Sequence, residues 1–315
     1  MLATAPILAP SAVAAWRHAL GRTASVAVVG GAFDLLHPGN LSALRQAATL
    51  GPVCVLLDDL PPRDEAGMAP QNTAVVRADL LARLRLVGAV SVVASAAELP
   101  GRLRDLQPFT WVGCLEREAG HPLSDAIRGA ASQCYDLPRL QGCSGDEIRQ
   151  ALRTQRTPIP VADAAFPPVT GGVSASPPRP LVTVNGCFDI LHIGHARFLD
   201  AARAQGASLT VLINSDASVR RYKGASRPVF PQVFRVAALR ALRAVDDVRV
   251  FEEDNPLAAL AALRPELQVK GGSFEPERVE EERALLAGWG GRLLTTPLIE
   301  GFSTSAMVSR ILPVS

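Results

Sequence analysis

Two histidines three residues apart, His192 and His195, carry the clearest chemical signal in this sequence. They follow an apolar run that ends in Asn185-Gly186, and they stand at the start of a helical pattern. Side chains at spacing i, i+3 share one face of a helix. The first turn of a helix also offers unpaired N–H groups and the positive end of the helix dipole. This combination is suited to bind polyphosphate.

Lysine is rare in this chain, and its two positions are informative. Of the 32 basic residues, only Lys223 and Lys270 are lysines. Lys223 lies in the basic run Arg220–Val229, and Lys270 is followed by two glycines. A compact ammonium is a point charge, unlike the planar guanidinium of arginine. Both positions are therefore candidates for contacts with a charged ligand.

Two later motifs complete the candidate site. Lys270-Gly271-Gly272 ends a predicted strand, and ligands of open parallel sheets bind beyond the strand ends. The run Glu300–Ser305 opens a last predicted helix with hydroxyls and free N–H groups, which predicts a second anion site.

The first motif has a damaged copy near the N-terminus, where Phe33 stands 155 positions before Phe188. Matching positions have changed in ways that predict loss of activity, and no Arg-Tyr-Lys-Gly run lies between Leu60 and Arg77. The changed positions are Pro38, Asn40 in place of the second histidine, Gly113 in place of Lys270, and Ser144-Gly145-Asp146.

Alternating strand and helix patterns fill both halves and predict two tandem Rossmann-like α/β domains, each a doubly wound parallel sheet. In the C-terminal half, strands are predicted near 181–185, 208–213, 248–251, 267–270 and 292–295. Helices are predicted near 194–205, 231–244, 256–263 and 276–287, with a last helix capped by Ser303. The expected organisation is an arm at 1–21 with a helix capped by Ser11, a degenerate domain at 22–153, a Pro-rich linker at 154–180 and a catalytic domain at 181–315.

Composition excludes several classes of protein. The chain is 48% hydrophobic and 20% charged with a formal charge of +2, which gives no basic excess for nucleic acid. Its five cysteines form no C-x-x-C pair, so a reducing cytoplasm is expected. No apolar run reaches the roughly 18 residues of a membrane span.

The four motifs together, over Leu181–Leu312, resemble the nucleotidyltransferase superfamily that includes glycerol-3-phosphate and ethanolamine-phosphate cytidylyltransferases. Within it, the C-terminal half is most similar to heptose-1-phosphate adenylyltransferases. The N-terminal half shares only the first motif and the order of elements. Ser273 and Phe274 depart from the aspartate and tyrosine usual in the heptose type, which leaves their nucleotide contact in doubt.

The resemblance implies a role for each motif. The implied catalytic residues are His192, His195 and Lys223. The implied nucleotide-binding residues are Gly186, Cys187, Phe188, Asp189, Gly194, Lys270, Gly271, Gly272, Ser303, Thr304 and Ser305. Arg235 and Arg227 are implied to contact substrate phosphate. Asp189 is expected either to orient His192 or a Mg²⁺-bound phosphate, or simply to form a turn.

The implied reaction transfers AMP from ATP, with Mg²⁺, to a sugar 1-phosphate, and D-glycero-D-manno-heptose 1-phosphate is the expected acceptor. Leu298 stands where cytidylyltransferases of the glycerol type have an arginine, which favours ATP. Two alternatives stay open: a cytidylyltransferase acting on an alcohol or amino-alcohol phosphate, and a regulatory protein that binds nucleotide without turnover. No dedicated metal ligands, nucleic acid or membrane partner are expected. The two halves are expected to pair as an internal pseudo-dimer, with further homo-oligomers open.

Overall fold

The computed structural model describes residues 3–21, 24–60, 70–114, 121–138, 140, 145–154, 159, 166, 177–272 and 276–296. The chain divides into two compact units, one of Thr4–Gly145 and one of Met1–Ala3 with Asp146–Ser315. Each unit is built on a parallel sheet with helices between its strands, which confirms the predicted fold class.

The N-terminal unit has a six-stranded sheet in the order β1-β4-β3-β2-β5-β6. Its strands are β1 (Ile7–Leu8), β2 (Val26–Gly31), β3 (Val53–Asp58), β4 (Ala89–Val93), β5 (Phe109–Gly113) and β6 (Gln133–Asp136). Its α-helices are Val13–Ala19, Pro38–Leu50, Ala74–Ala82, Leu99–Leu106 and Pro122–Ala130, with 3-10 turns at Pro10–Ala12 and Ala96–Glu98. The central strand β3 is buried along its whole length, because helices on both faces of a parallel sheet exclude water.

The C-terminal unit has a five-stranded sheet in the order β11-β10-β7-β8-β9. Its strands are β7 (Leu181–Gly186), β8 (Ser208–Asn214), β9 (Asp247–Phe251), β10 (Leu267–Gly271) and β11 (Arg292–Thr296). Its helices are Gly145–Arg153, Ile193–Arg203, Asp216–Lys223, Gln232–Arg240, Leu257–Leu263 and Pro276–Ala287.

The two sheets share one topology, since β4-β3-β2-β5-β6 runs in the same order as β9-β8-β7-β10-β11. From β7 the chain first adds strands on one side, β8 and β9, and then returns to add β10 and β11 on the other. The reversal leaves a crevice at the carboxyl ends of β7 and β10. In open α/β sheets this switch point is where ligands bind.

One helix was missed by the sequence analysis. Asp216–Lys223 is helical, whereas no helix was predicted between the helices near 194–205 and 231–244. Ser215 caps this helix by accepting a hydrogen bond from the Ser218 N–H at 3.1 Å. A serine followed by an aspartate in the first turn is the sequence signal that was overlooked.

The N-terminal arm also differs from expectation. Its strand β1 pairs with β4, with Ile7 beside Val90, so the arm is the edge of the first sheet. Ser11 lies in a 3-10 turn and does not cap the helix, whose N-cap is Ala12 without a side-chain hydrogen bond.

Most of the predicted linker at 154–180 lies outside the described residues. Two of its described residues contact the C-terminal unit. The Ile159 N–H donates to the Val229 carbonyl at 2.9 Å, and the Phe166 ring packs edge-on against Phe234. Within the described part of the chain, no helix is long and apolar enough to cross a membrane.

Candidate active site

His192 and His195 lie together at the carboxyl end of β7. His192 is the N-cap of the helix Ile193–Arg203, and its Nδ1 accepts a hydrogen bond from the His195 N–H at 3.2 Å. The two rings stack with centroids 3.7 Å apart and planes 18° apart. The spacing of three residues therefore brings both imidazoles to the first turn of the helix, at the switch point of the sheet.

The cap bond fixes the proton of His192. Because Nδ1 accepts a hydrogen bond, the proton of the neutral ring is assigned to Nε2. This Nε2 is buried and has no hydrogen-bond partner among the described residues, and the same holds for Nδ1 of His195. An unsatisfied buried donor costs about 1–3 kcal/mol. A ligand with acceptor oxygens would recover that cost.

Both imidazoles are neutral near pH 7. Burial lowers the pKa of His192 from 6.5 to about 4. Burial, then the nearby His192 and Lys223, lower the pKa of His195 well below 6.5, while the Ile190 carbonyl acts weakly in the opposite direction. The pair therefore carries no positive charge near pH 7, and its N–H without a partner among the described residues is Nε2 of His192.

Phe188 packs beside this pair in a left-handed backbone conformation with φ of 47°. Its ring centroid lies 5.0 Å from that of His195. A Cβ on Gly186 would meet the Phe188 ring at 3.1 Å, so the absence of a side chain at this position leaves room for the ring. Gly194 is buried in the first turn of the following helix.

Asp189 holds the backbone of the neighbouring segment. Its Oδ1 accepts from the N–H groups of Val229 and Phe230 at 2.7 and 3.0 Å, and its Oδ2 pairs with Arg227 at 2.9 Å. Of the roles left open for it, the structure shows the structural one. Arg227, expected at a substrate phosphate, has this carboxylate as its partner.

Arg235 is a buried hub, with only 1% of its surface exposed. Its guanidinium donates to the carbonyls of Phe230, Cys187 and Asn214 at 3.1, 2.8 and 2.9 Å, and to Asp216 at 2.7 Å. These contacts differ from the phosphate contact that was expected. The arginine ties together the segments that leave the carboxyl ends of β7 and β8.

The same hub exists in the N-terminal unit. Arg77 donates to the carbonyls of Asn72, Ala32 and Asp58 and pairs with Asp59 at 2.6 Å. Asn40 stands in this unit where the other has its second histidine, yet the arginine keeps the same kind of contacts. This comparison supports a structural role for Arg235 as well.

Lys223 is the last residue of the helix Asp216–Lys223, and its side chain is exposed. Its charge helps lower the pKa of His195 and opposes the rise in the pKa of Cys187 that burial causes. Its Nζ lies 5.6 Å from the centroid of the Tyr222 ring. Lys223 is therefore an exposed cation whose charge acts on the histidine pair.

Lys270 is placed differently from Lys223. It is 3% exposed, and its Nζ pairs with Glu282 at 2.5 Å. Glu282 lies on the helix Pro276–Ala287 and was missed by the sequence analysis, because a glutamate on a helix rich in acidic residues gives no local signal. Gly271 lies against the Phe198 ring, which a Cβ would meet at 2.9 Å. Gly272 has φ of 112°, which favours glycine.

Ser303, Thr304 and Ser305, with the predicted last helix, lie outside the described residues, as do Ser273 and Phe274. Among the residues that are described, no group of three or more His, Cys, Asp or Glu side chains could hold a metal ion. Asp254, in the acidic turn after β9, pairs with Arg221 at 2.7 Å.

The first motif of the N-terminal unit has a different chemistry. His37 also caps a helix and accepts the Asn40 N–H at 3.2 Å. Asn40, in place of the second histidine, returns a contact by accepting the His37 N–H at 3.4 Å, which completes a capping box. The stacked imidazole pair is thus replaced by a helix cap.

Comparison with known proteins finds matches to the C-terminal part of the chain. Residues 183–307 match the family model described as cytidylyltransferase-like. The curated protein "Bifunctional protein HldE" of Streptomyces coelicolor is 48% identical over 130 residues, which are 41% of this chain and 28% of that protein. Its namesake in Coxiella burnetii is 45% identical over 132 residues, 42% of this chain and 28% of that protein. The match therefore spans little more than a quarter of these relatives.

A crystal structure titled as a lipopolysaccharide core biosynthesis protein from Thermoplasma volcanium GSS1 is 25% identical. It covers 38% of this chain and 95% of its own, with a TM-score of 0.32. The family match and the relatives cover the unit that holds the stacked histidines. The C-terminal unit of this chain thus contains the residues, 183–307, that match the cytidylyltransferase-like family model.

Proposed function

We propose that the C-terminal unit transfers AMP from ATP to a sugar 1-phosphate and releases pyrophosphate. The observation that carries this proposal is the stacked His192–His195 pair with its unpartnered buried Nε2, at a helix N-terminus and a sheet switch point. The match of this unit to cytidylyltransferase-like domains supports the same reaction class.

In the proposed step, a phosphate oxygen of the sugar 1-phosphate attacks the α-phosphorus of ATP. The new P–O bond forms as the bond to the bridging oxygen of the β-phosphate breaks, and pyrophosphate leaves with that electron pair. No covalent enzyme intermediate is required. The protein therefore acts through positioning and through donors aimed at the developing charge.

The residues divide this work by their charge. Neutral His192 donates a hydrogen bond to the phosphates through Nε2, His195 stacks against its ring, and Lys223 adds the positive charge that the pair lacks. Mg²⁺ enters as part of the substrate MgATP, since the described residues offer no acidic cluster for it. Asp189 and Arg235 keep the segments around the crevice in place.

The acceptor is inferred from sequence. The four motifs resemble heptose-1-phosphate adenylyltransferases, and Leu298 occupies the position of an arginine in the glycerol-type cytidylyltransferases. We therefore propose D-glycero-D-manno-heptose 1-phosphate as the acceptor and ATP as the donor.

A grid of ATP, CTP, GTP and UTP against sugar 1-phosphates, glycerol 3-phosphate and phosphoethanolamine tests the proposal through pyrophosphate release. ATP with the heptose 1-phosphate should be fastest. Faster turnover of CTP with an alcohol phosphate would establish the cytidylyltransferase alternative. ATP binding without turnover of any acceptor would establish a regulatory protein.

Lys223 is tested by a matched pair on one helix. Removing a donor to developing phosphoryl charge costs about 10²–10³ in rate, so Lys223→Ala should lose that much. Arg221→Ala removes an exposed cation that pairs with Asp254 and should change the rate by less than about fivefold, the factor that corresponds to about 1 kcal/mol, the upper figure for a surface pair. Equal losses in both variants would show that only general positive charge matters.

For the N-terminal unit we propose the role of an internal partner. A duplicated unit that has lost its second histidine can provide the contact that a second copy would otherwise make. Sedimentation of the full chain should then show a monomer at micromolar concentration.

A further inference from the structure

A chain of hydrogen bonds links three polar side chains of β7 and β10. The Thr183 hydroxyl donates to Oε1 of Gln268, and Nε2 of Gln268 donates to Oδ1 of Asn185 at 2.7 Å. Thr183 and Gln268 are 0% exposed, whereas Asn185 is partly exposed at the carboxyl end of β7. The chain runs from the core of the sheet to the mouth of the crevice.

The N-terminal unit provides an internal comparison. Gln268 pairs in register with Thr183, and the equivalent pair in the other sheet is Trp111 with Val28. Both of these apolar side chains are at most 1% exposed. The position of Asn185 is Gly30 in that unit, by the same offset that aligns Phe33 with Phe188. All three members of the polar chain are therefore absent from the unit that lacks the second histidine.

Apolar side chains close that side of the N-terminal unit. A Cβ on Gly30 would meet Cδ1 of Ile127 at 2.7 Å and the side chain of Leu123 at 3.6 Å. Both residues belong to the helix Pro122–Ala130 and are 0% exposed. This sheet thus folds with an apolar interior where the C-terminal unit keeps a buried amide.

A buried amide with satisfied hydrogen bonds adds little stability over an apolar side chain of similar shape. The N-terminal sheet shows that the fold does not need it. We propose that Gln268 is a positioning residue that holds the Asn185 amide so that its Nδ2 donates a hydrogen bond to the nucleotide. This inference rests on the proposed function of the C-terminal unit.

The direction of these hydrogen bonds indicates that Asn185 presents an N–H donor at the opening of the crevice. Since Gln268 accepts from Thr183 through Oε1, its Nε2 must face Asn185, whose Oδ1 accepts. Nδ2 of Asn185 is left with no acceptor among the described residues. It lies beside the switch point between β7 and β10, where α/β sheets bind nucleotides. A ribose or phosphate oxygen or a ring nitrogen of the base would accept its hydrogen bond.

The test uses the full chain and binding of MgATP by isothermal titration calorimetry, together with KM and kcat. Asn185→Ala removes the donor, and Thr183→Val removes only the hydroxyl that orients Gln268. Thr210→Val is the matched control, because Thr210 pairs in register with Thr183, is 1% exposed and has a hydroxyl without a hydrogen-bond partner in the described structure.

Loss of one hydrogen bond predicts weaker ATP binding by about tenfold for Asn185→Ala and about threefold for Thr183→Val. KM for ATP should rise equally, while kcat and KM for the sugar phosphate stay within twofold of wild type, and Thr210→Val should bind ATP like wild type. Unchanged ATP binding in Asn185→Ala, or equal effects of the two threonine variants, would overturn the inference.

The proposed transferase activity and the role of Asn185 can be refuted separately. Wild-type protein that binds ATP but releases no pyrophosphate with any acceptor would refute the transferase activity, and the dissociation constants alone would then decide the role of Asn185. Wild-type protein that does not bind ATP would overturn both.

Discussion

In the C-terminal unit, the arrangement of the two histidines that suits ligand binding also lowers the stability of the folded chain. Burial keeps both rings neutral, and Nε2 of His192 has no hydrogen-bond partner among the described residues. A buried donor without a partner costs stability. In the N-terminal unit, Asn40 instead adds a bond, because its Oδ1 accepts from the backbone N–H of His37.

Replacing His195 by asparagine tests whether activity falls while stability is kept. His195→Asn removes the ring that stacks on the His192 donor and should lower pyrophosphate release by about 10²–10³, the figure for loss of one preorganised contact. The unfolding free energy should stay equal or rise, because an Asn at 195 can accept the His192 N–H as Asn40 accepts that of His37. Urea unfolding and the rate are measured together. His195→Ala is the control, with the same loss of rate but no return contact; a destabilised His195→Asn would contradict the argument.

The depressed pKa of His192 predicts how stability depends on pH. As pH falls below 6.5, the unfolded chain binds a proton before the folded chain, whose His192 has a pKa of about 4. Stability should therefore fall between pH 6.5 and 4 and level off below, with a loss of up to about 3 kcal/mol from this group. His192→Asn keeps a good N-cap without the titration. Urea unfolding should show a shallower fall in that variant; an identical fall would assign the effect to other groups.

At the scale of elements, each unit places one arginine at the point where its loops meet. Arg235 and Arg77 both lie in the first turns of helices after the second core strand of their sheets, and both donate to carbonyls that end neighbouring strands. A planar fork with several fixed donors suits this task better than lysine. The hub sets the geometry on which the histidine pair depends.

Replacing these hubs should destabilise both units. Arg235→Leu and Arg77→Leu each leave buried carbonyls and a carboxylate without a donor, which should cost about 3–5 kcal/mol by the figure for broken buried pairs. Arg249→Leu, at a partly exposed pair with Asp247, should cost less, about 1 kcal/mol. Calorimetric unfolding measures all three. If Arg235→Leu lost activity at unchanged stability, a direct phosphate contact would be indicated instead.

The elements themselves were largely predictable. Each C-terminal strand was placed to within one residue at either end. The inner strands β7 and β8 are largely apolar because both of their faces are buried, whereas the edge strands β9 and β11 are partly exposed. The helix Asp216–Lys223 was missed, since its basic residues give no apolar period. The motif predicted the place of the histidines, but not their neutral charge, which depends on burial.

The long-range partners could not be predicted. Gln268 and Thr183 are 85 positions apart, and Glu282 reaches Lys270 from a separate helix. Sequence reasoning also gave Arg235 a ligand role. Arg77, at the matching position of the N-terminal unit, makes the same kind of contacts with backbone carbonyls, and the phosphate contact of Arg235 stays a prediction.

For the whole molecule, the comparison of the two units predicts that one repair will not restore the first site. Asn40→His, made in a Lys223→Ala chain whose own activity is low, should yield no new pyrophosphate release. Gly113 still replaces the lysine, and Ile127 packs over Gly30. Measurable turnover above the Lys223→Ala background would show that the N-terminal crevice accepts nucleotide. The Lys223→Ala chain alone is the control.

The short strand β1 also has a consequence for solubility. It pairs with β4, a strand without a charged residue that would otherwise be the edge of its sheet. The corresponding strand β9 is the edge of the second sheet among the described residues, and it carries Asp247 and Arg249. Charges on an edge discourage pairing between molecules, and an apolar edge invites it. A chain shortened by its first nine residues should therefore aggregate on standing, because β4 would become an apolar edge on which another copy of the chain can pair. Pyrophosphate release by the protein that stays in solution should not change.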